Sequence, residues 1–304
     1  MTHDDIIKAF ESLRIWQRGD RRAVHKPLLV LFALARVASG AARTIDWNDA
    51  DPILRALLDE FGPDGSGANR HNPFWHLRTD GLWTLDGPDF ILCRPPGATP
   101  TITELRDNHV RGGFPLAIFE SLRKDNGLIS AIARRIVQAH FPESIRDDVL
   151  AAVGLSAMDE GAPAGQSPDP VRRRDPAFRE NVLMAYQYRC GVCGHDLRMG
   201  RQTIGLEAAH IKWFQARGPD VVSNGIAMCS LHHKVFDLGA FKILPDSYQM
   251  VFSQHLNGSE ASARTMLAYH GAGLILPQSR EYLPAPLFLD WHSTQVFKSP
   301  ARTG

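Results

Sequence analysis

Cys229-Ser-Leu-His-His-Lys-Val-Phe-Asp237 places two histidines side by side, three residues after a cysteine. Cys190-Gly-Val-Cys193 lies upstream, with 36 residues from Cys193 to Cys229. A CxxC and a CxxH together supply four soft or borderline ligands, the set that tetrahedral zinc takes. The spacing lets one tight turn aim two thiolates at a single ion, and Gly191 and Gly194 ease that turn. A redox dithiol would not need Cys229 and His232 at matching spacing. Cys190, Cys193, Cys229 and His232 are therefore expected to hold a structural zinc, which would brace a domain of modest size.

Between the knuckles lie Leu206-Glu-Ala-Ala-His-Ile211 and Ser223-Asn-Gly-Ile226. With His233 they give the order His210, Asn224, His233, at spacings of 14 and 9 residues. Hydrolysis of a phosphodiester needs a base to deprotonate water, and a histidine titrating near neutrality suits that work. It also needs a divalent cation against the charge on the phosphate and the leaving 3′ oxygen. His233 can hold that ion. Asn224 can bond backbone or imidazole and orient the loop before it. Each residue alone carries little information; interleaved with the zinc ligands they form a specific pattern.

Over roughly residues 175–256 this pattern resembles the HNH endonuclease family, in its zinc-bearing form. The resemblance implies a ββα-metal core, with His210 as general base, Asn224 as positioning residue and His233 as ligand to catalytic magnesium or manganese. One departure stands out. Many members carry an acidic residue or a histidine directly before the base, where this chain has Ala209. Asp237, four residues after His233, shares a helical face with it and is the first substitute. Glu207 ranks second, because three residues along a flat strand point to opposite faces and a bulge would be needed.

The chain has 304 residues, enough for two ordinary domains. Residues 155–174 include the Pro-, Gly- and Ala-rich run Gly161-Ala-Pro-Ala-Gly-Gln-Ser-Pro-Asp-Pro170 and read as a linker. That gives domains at 1–154 and 175–304. Arg172-Arg-Arg174 could touch phosphate. The expected fold class is α+β, with a mostly helical, mixed first domain. Helices are expected at 1–14, at 25–38 with Pro27 in the first turn, and at 52–61, 114–122, 126–140 and 145–153. A strand pair is expected over 74–85, turning at Asp80-Gly81. In the second domain Asp175 should cap a helix running to about Tyr188. A strand over 203–211, a helix over 232–238 and a hairpin over 242–252 should follow.

Net charge is only +1, so bulk charge gives no argument for nucleic acid and any contact must come from local patches. The longest apolar run, residues 28–35, is far short of the roughly 20 residues a bilayer needs. No secretory signal is visible, so a cytoplasmic protein with no membrane partner is expected. A disulfide framework is not expected there. Cys93 should be a small buried hydrophobe.

Three clusters mark the first domain: Arg21-Arg-Ala-Val-His-Lys-Pro27, Arg70-His-Asn-Pro-Phe-Trp-His-Leu77 and Arg106-Asp-Asn-His-Val-Arg-Gly-Gly-Phe114, the last expected as a glycine-containing loop. Together they resemble the sulfur-binding domain of phosphorothioate-dependent, McrA-like type IV restriction endonucleases, in the HKPLL, NPFWHL and RGGF segments and in the order of domains. The resemblance implies a partner, phosphorothioate-modified double-stranded DNA, with His25, Lys26, Pro73, Phe74, Arg111 and Gly112 as candidate contacts. A non-bridging sulfur is larger and softer than oxygen and a poorer hydrogen-bond acceptor, so an apolar wall from Pro73, Phe74 and His25 would suit it. Two other readings stay open: an HNH nuclease that reads another mark such as methylated cytosine, and a catalytically inactive zinc module that binds DNA. Cutting both strands with one-ion sites generally needs two of them, which allows a homodimer.

Overall fold

The computed structural model describes residues 2–15, 17–18, 21–22, 24–95, 97–155 and 175–303. Arg172-Arg-Arg174, Ala23 and most of the expected linker lie outside the described residues. The chain divides into two compact units, Met1–Phe141 with Arg146–Asp169, and Pro142–Ile145 with Pro170–Gly304. Among the described residues no helix is long and apolar enough to cross a membrane.

In the first unit, α1 (His3–Glu11) starts at a capping box between Thr2 and Asp5 and buries Ile6 and Phe10. β1 (Gln17–Arg18) pairs with β2 (Arg21–Arg22). Then comes α2 (His25–Ala38), with an unbroken buried run from Pro27 to Leu34. A helix apolar on all sides belongs inside a bundle. It packs against α3 (Trp47–Phe61), α4 (His71–His76), α7 (Leu116–Lys124), α8 (Asn126–His140) and α9 (Arg146–Val153). The short α5 (Asp89–Leu92) and α6 (Ile102–Asp107) complete the helices of this unit. The expected helix at 52–61 begins earlier, at Trp47, because Asp46 accepts a hydrogen bond from the Asn48 amide and caps it there. Cys93 follows α5 and is exposed, not buried.

Two expectations fail in the glycine- and aromatic-rich segments. No strand pair turns at Asp80-Gly81: α4 runs into a 3-10 turn, Leu77–Asp80, which Gly81 closes at φ 73°. Pro73, Phe74, Trp75 and Leu77 are all buried, a spacing that suits a helix against the core as well as a strand. The expected loop at Arg111-Gly-Gly113 is β5, the middle strand between β3 (Thr44–Asp46) and β4 (Thr84–Asp86). Both glycines are there for close approach. A Cβ on Gly113 would stand 2.1 Å from the Arg43 carbonyl oxygen, and one on Gly112 would stand 2.4 Å from Trp83 Nε1 and 2.8 Å from Phe74 Cζ. Above this floor Trp47, Phe74, Trp83 and Phe114 form an edge-to-face chain with centroids 5.0–5.8 Å apart.

The second unit opens with α10 (Ala177–Ala185). It stops short of Tyr188 because Gln187 and Tyr188 take φ of 54° and 55°. The hairpin β6 (Arg198–Met199) and β7 (Gln202–Thr203) leads into β8 (Leu206–His210). β8 pairs antiparallel with β9 (Gly225–Cys229) at all five positions, from Leu206↔Cys229 to His210↔Gly225. α11 (Ser230–Asp237) follows directly, giving the ββα order. The return hairpin β10 (Phe241–Ile243) and β11 (Met250–Phe252) forms as expected. α12 (Glu260–Met266) and α13 (Pro286–Gln295) end the unit. His292 of α13 stacks on Phe236 at 3.7 Å and is pushed down to about 4 by complete burial, so the ring packs as a neutral aromatic.

Gly113→Ala should destabilise the first unit by about 3 kcal/mol, the upper range for overpacking, because the opposing atom is backbone and cannot yield. Thermal denaturation followed by circular dichroism reads this; an unchanged melting temperature would contradict the packing described.

Candidate metal and nuclease centre

The turn after α10 and the start of α11 bring Cys190, Cys193, Cys229 and His232 together, with one ligand atom from each lying within 4.8 Å of all the others. His232 turns Nδ1 toward the thiols, 3.1 Å from Cys229 Sγ and 3.8 Å from Cys190 Sγ. The hydrogen bond with Cys229 lowers the Cys190 thiol pKa against the opposing effect of burial. Three sulfurs and one imidazole nitrogen converging in this way fit a tetrahedral metal ion.

On the other side of α11 a cavity of about 590 Å³ is lined by residues of α10, β8, α11 and the loop between β8 and β9. His210 and His233 both face it. The His210 ring stacks on Phe178 at 4.0 Å, and its Nε2–H donates to Asp220 Oδ1 at 2.7 Å. His233 lies between two carboxylates: Nδ1 meets Glu207 Oε2 at 2.6 Å and Nε2 meets Asp237 Oδ2 at 3.1 Å. Burial works against charge on His233, yet Asp237 and Glu207 overcome it and hold its pKa up to about 10. The same hydrogen bond holds Glu207 below the usual carboxylate range. Asp237 is itself fixed. Its Oδ1 accepts from the Trp213 indole N–H at 2.9 Å, and Ser144 Oγ–H donates to Oδ2.

Asn224 is completely buried, and its side-chain amide bonds to backbone groups. Its Oδ1 accepts from the Lys212 amide at 2.9 Å, while Nδ2 donates to the carbonyls of Lys212 at 3.0 Å and Pro219 at 2.9 Å. Those bonds close the loop that follows His210. A Cβ on Gly218 would stand 1.7 Å from the Lys212 oxygen, so only glycine fits the closure.

In the first unit His25 Nε2–H donates to the Ser66 carbonyl at 2.9 Å, and burial lowers the ring's pKa more than that bond raises it. Lys26 pairs with the buried Asp80 at 2.5 Å. Arg111 is exposed on β5, close enough to Arg36 for repulsion to add to burial in lowering the Arg36 pKa. Arg43 donates to the Phe114 carbonyl and Thr84 Oγ1, both at 3.0 Å.

The model of the ScoMcrA-like DNA sulfur-binding domain matches residues 3–158, just over half of the chain. The chain belongs to this family. An HNH endonuclease model matches residues 190–243 of the same chain. Two solved structures similar to it are the sulfur-binding domains of ScoMcrA and SprMcrA complexed with phosphorothioated DNA. The first is 20% identical with TM-score 0.45, covering 50% of this chain and 96% of that one. The second is 23% identical with TM-score 0.43, covering 52% and 98%. The type IV phosphorothioation-dependent restriction endonuclease ScoMcrA is 20% identical with TM-score 0.42, over 50% of this chain and 28% of that one. No curated protein matches the chain.

This ScoMcrA-like chain is thus a DNA sulfur-binding domain followed by an HNH endonuclease domain. Among the contacts expected in the sulfur-binding domain, Phe74 and Gly112 need correction: both are buried, with the Phe74 ring against Gly112 and between Trp47 and Trp83, so they can only support a DNA-facing surface. Pro73 is buried as well, His25 and Lys26 are half-buried, and Arg111 is open. In the nuclease domain Glu207 and His210 line one cavity although the β8–β9 pairing is regular, without the bulge the sequence reading required. Among the described residues β8 pairs with no strand but β9. Asp220 was missed; its only sequence signal is a carboxylate in the Gly-Pro-Asp run between His210 and Asn224.

Asn224→Asp would set a carboxylate against two carbonyl oxygens. It should cost about 3 kcal/mol, from two buried carbonyls losing their donor. The melting temperature of the full chain measures this, and a wild-type value would show that the loop does not depend on the amide.

Proposed function

We propose that the first unit recognises phosphorothioate-modified double-stranded DNA and that the second hydrolyses phosphodiester bonds nearby, making the chain a modification-dependent restriction endonuclease against foreign sulfur-bearing DNA. The observation that carries this reading is the cavity in which His210, Glu207, His233 and Asp237 converge, in an HNH-matching segment behind a DNA sulfur-binding domain. Residues 1–154 are assigned to reading, 155–174 to the linker and 175–304 to cutting. Two copies acting together would cut both strands.

His210 takes the proton from the attacking water, and Asn224 holds the loop that fixes the position of His210. Glu207 and His233 Nδ1 are the ligand pair for magnesium or manganese, ahead of Asp237, both of whose oxygens already have partners. Asp237 acts behind His233, orienting the ring through Nε2. A divalent cation bound there supplies positive charge against the phosphate and the leaving 3′ oxygen. Glu207 and Asp237 set two carboxylates against His233, and their charge would favour a cation there. The separate Cys190, Cys193, Cys229 and His232 set suits zinc, which holds the start of α11 to the turn after α10.

In the first unit Arg111, with Arg36 and Arg43 beside it, meets phosphates. The half-buried His25 gives the sulfur a weakly polar wall, with the buried Pro73, Phe74 and Gly112 as its support.

Matched duplexes with and without one phosphorothioate, digested with manganese, test the reading. The modified duplex should be cut at least tenfold faster; equal rates would overturn the sulfur specificity and leave the nuclease standing. His210→Ala should abolish cutting while retaining DNA binding in a mobility-shift assay, and cutting by that variant would overturn the catalytic assignment. Elemental analysis should find one zinc per chain, lost in Cys190→Ser.

A further inference from the structure

His210 is held on two sides. Phe178 covers one ring face at 4.0 Å, and Asp220 accepts its Nε2–H at 2.7 Å. The Asp220 carboxylate is only about one-tenth exposed, and its second oxygen accepts the Asp175 amide at 2.8 Å. That amide lies just before α10, so the carboxylate is fixed by the same segment that supplies Phe178. Other charged groups described around this cavity are Glu143, Asp175, Arg179, Glu207, His233 and Asp237.

We propose that Asp220 is a second positioning residue of the nuclease centre, beside Asn224: it fixes His210 in the Nε2–H tautomer, places the basic lone pair on Nδ1, and stabilises the imidazolium formed when water is deprotonated. This rests on the hydrolytic reading above. In that step the water oxygen bonds to phosphorus, the water proton passes to His210 Nδ1, and the P–O3′ bond breaks, with solvent protonating the leaving oxygen. An imidazole whose far nitrogen donates to a buried carboxylate gains a proton more readily and cannot rotate away from its task.

The sign of the effect on pH follows. The carboxylate favours imidazolium, so removing its charge lowers the pKa of His210 and moves the acid limb of the rate profile to lower pH. In the full chain with manganese and saturating modified duplex, Asp220→Asn should lower the plateau kcat about 100-fold, shift that limb downward by at least half a pH unit and leave KM within twofold. Asp220→Glu should recover part of the rate. An unmoved limb with an unchanged plateau would overturn the proposal, as would an equal loss in Asn and Glu variants that both melt like wild type. A second measurement needs no variant: nitrogen-15 correlation spectra of the imidazoles in the wild-type chain should show His210 protonated at Nε2, and the Nδ1–H form would refute the assignment. If His210→Ala still cuts, the hydrolytic reading fails; if it is inactive while Asp220→Asn is unaffected, only this inference does.

Discussion

Successive residues on an α-helix point about 100° apart. At His232 and His233 that angle separates two kinds of chemistry. His232 turns toward three cysteine sulfurs, and His233 turns into a cavity lined with carboxylates. Both depend on where α11 begins, and Cys229 fixes that point as the last residue of β9 and the cap of the helix. The metal-ligand cluster and the reactive cavity therefore share one short backbone junction. Both sets thus draw on the same eight-residue helix.

The second constraint is charge. Glu207, Asp220 and Asp237 are three of the five acidic residues that line one cavity, beside Glu143 and Asp175, and a phosphodiester adds another negative group. Those three have fixed donors. Asp220 takes the His210 N–H and a backbone amide, Asp237 takes an indole and an imidazole, and Glu207 takes His233. Carboxylates held in this way, Asp237 buried, Asp220 about one-tenth exposed and Glu207 half-exposed, keep their geometry as well as their charge. The arrangement is set before any substrate enters, the condition under which electrostatic stabilisation is most effective.

The order and spacing of Cys190, Cys193, His210, Asn224, Cys229, His232 and His233 were legible in the sequence because residue type and interval together restrict the chemistry. α2 was legible because an apolar run opened by His25-Lys-Pro27 and long enough for several turns has few other uses. The partner of His210 was not legible. Asp220 reaches it through a loop whose path is set by Asn224 and Gly218, and no periodicity records that path. Glu207 was ranked low by a rule for flat strands, yet it lines the same cavity as His210 in the two-stranded ribbon. In the first unit Arg111-Gly-Gly113 looked like a turn because glycine is common in turns. Here it is the middle strand, and the absence of side chains admits Trp83 and Phe74. The Phe74 segment was ambiguous in period, and packing against α2 decided for a helix.

The bond from Trp213 to Asp237 has one more consequence. An indole emits according to the electric field across its ring, and this one is anchored by its own N–H to a carboxylate beside His233. Trp291 lies 5.9 Å away, within range for excitation to pass between the two rings. The pair therefore offers spectroscopy a probe, with Trp213 already seated in the wall of the cavity that His210 and His233 face.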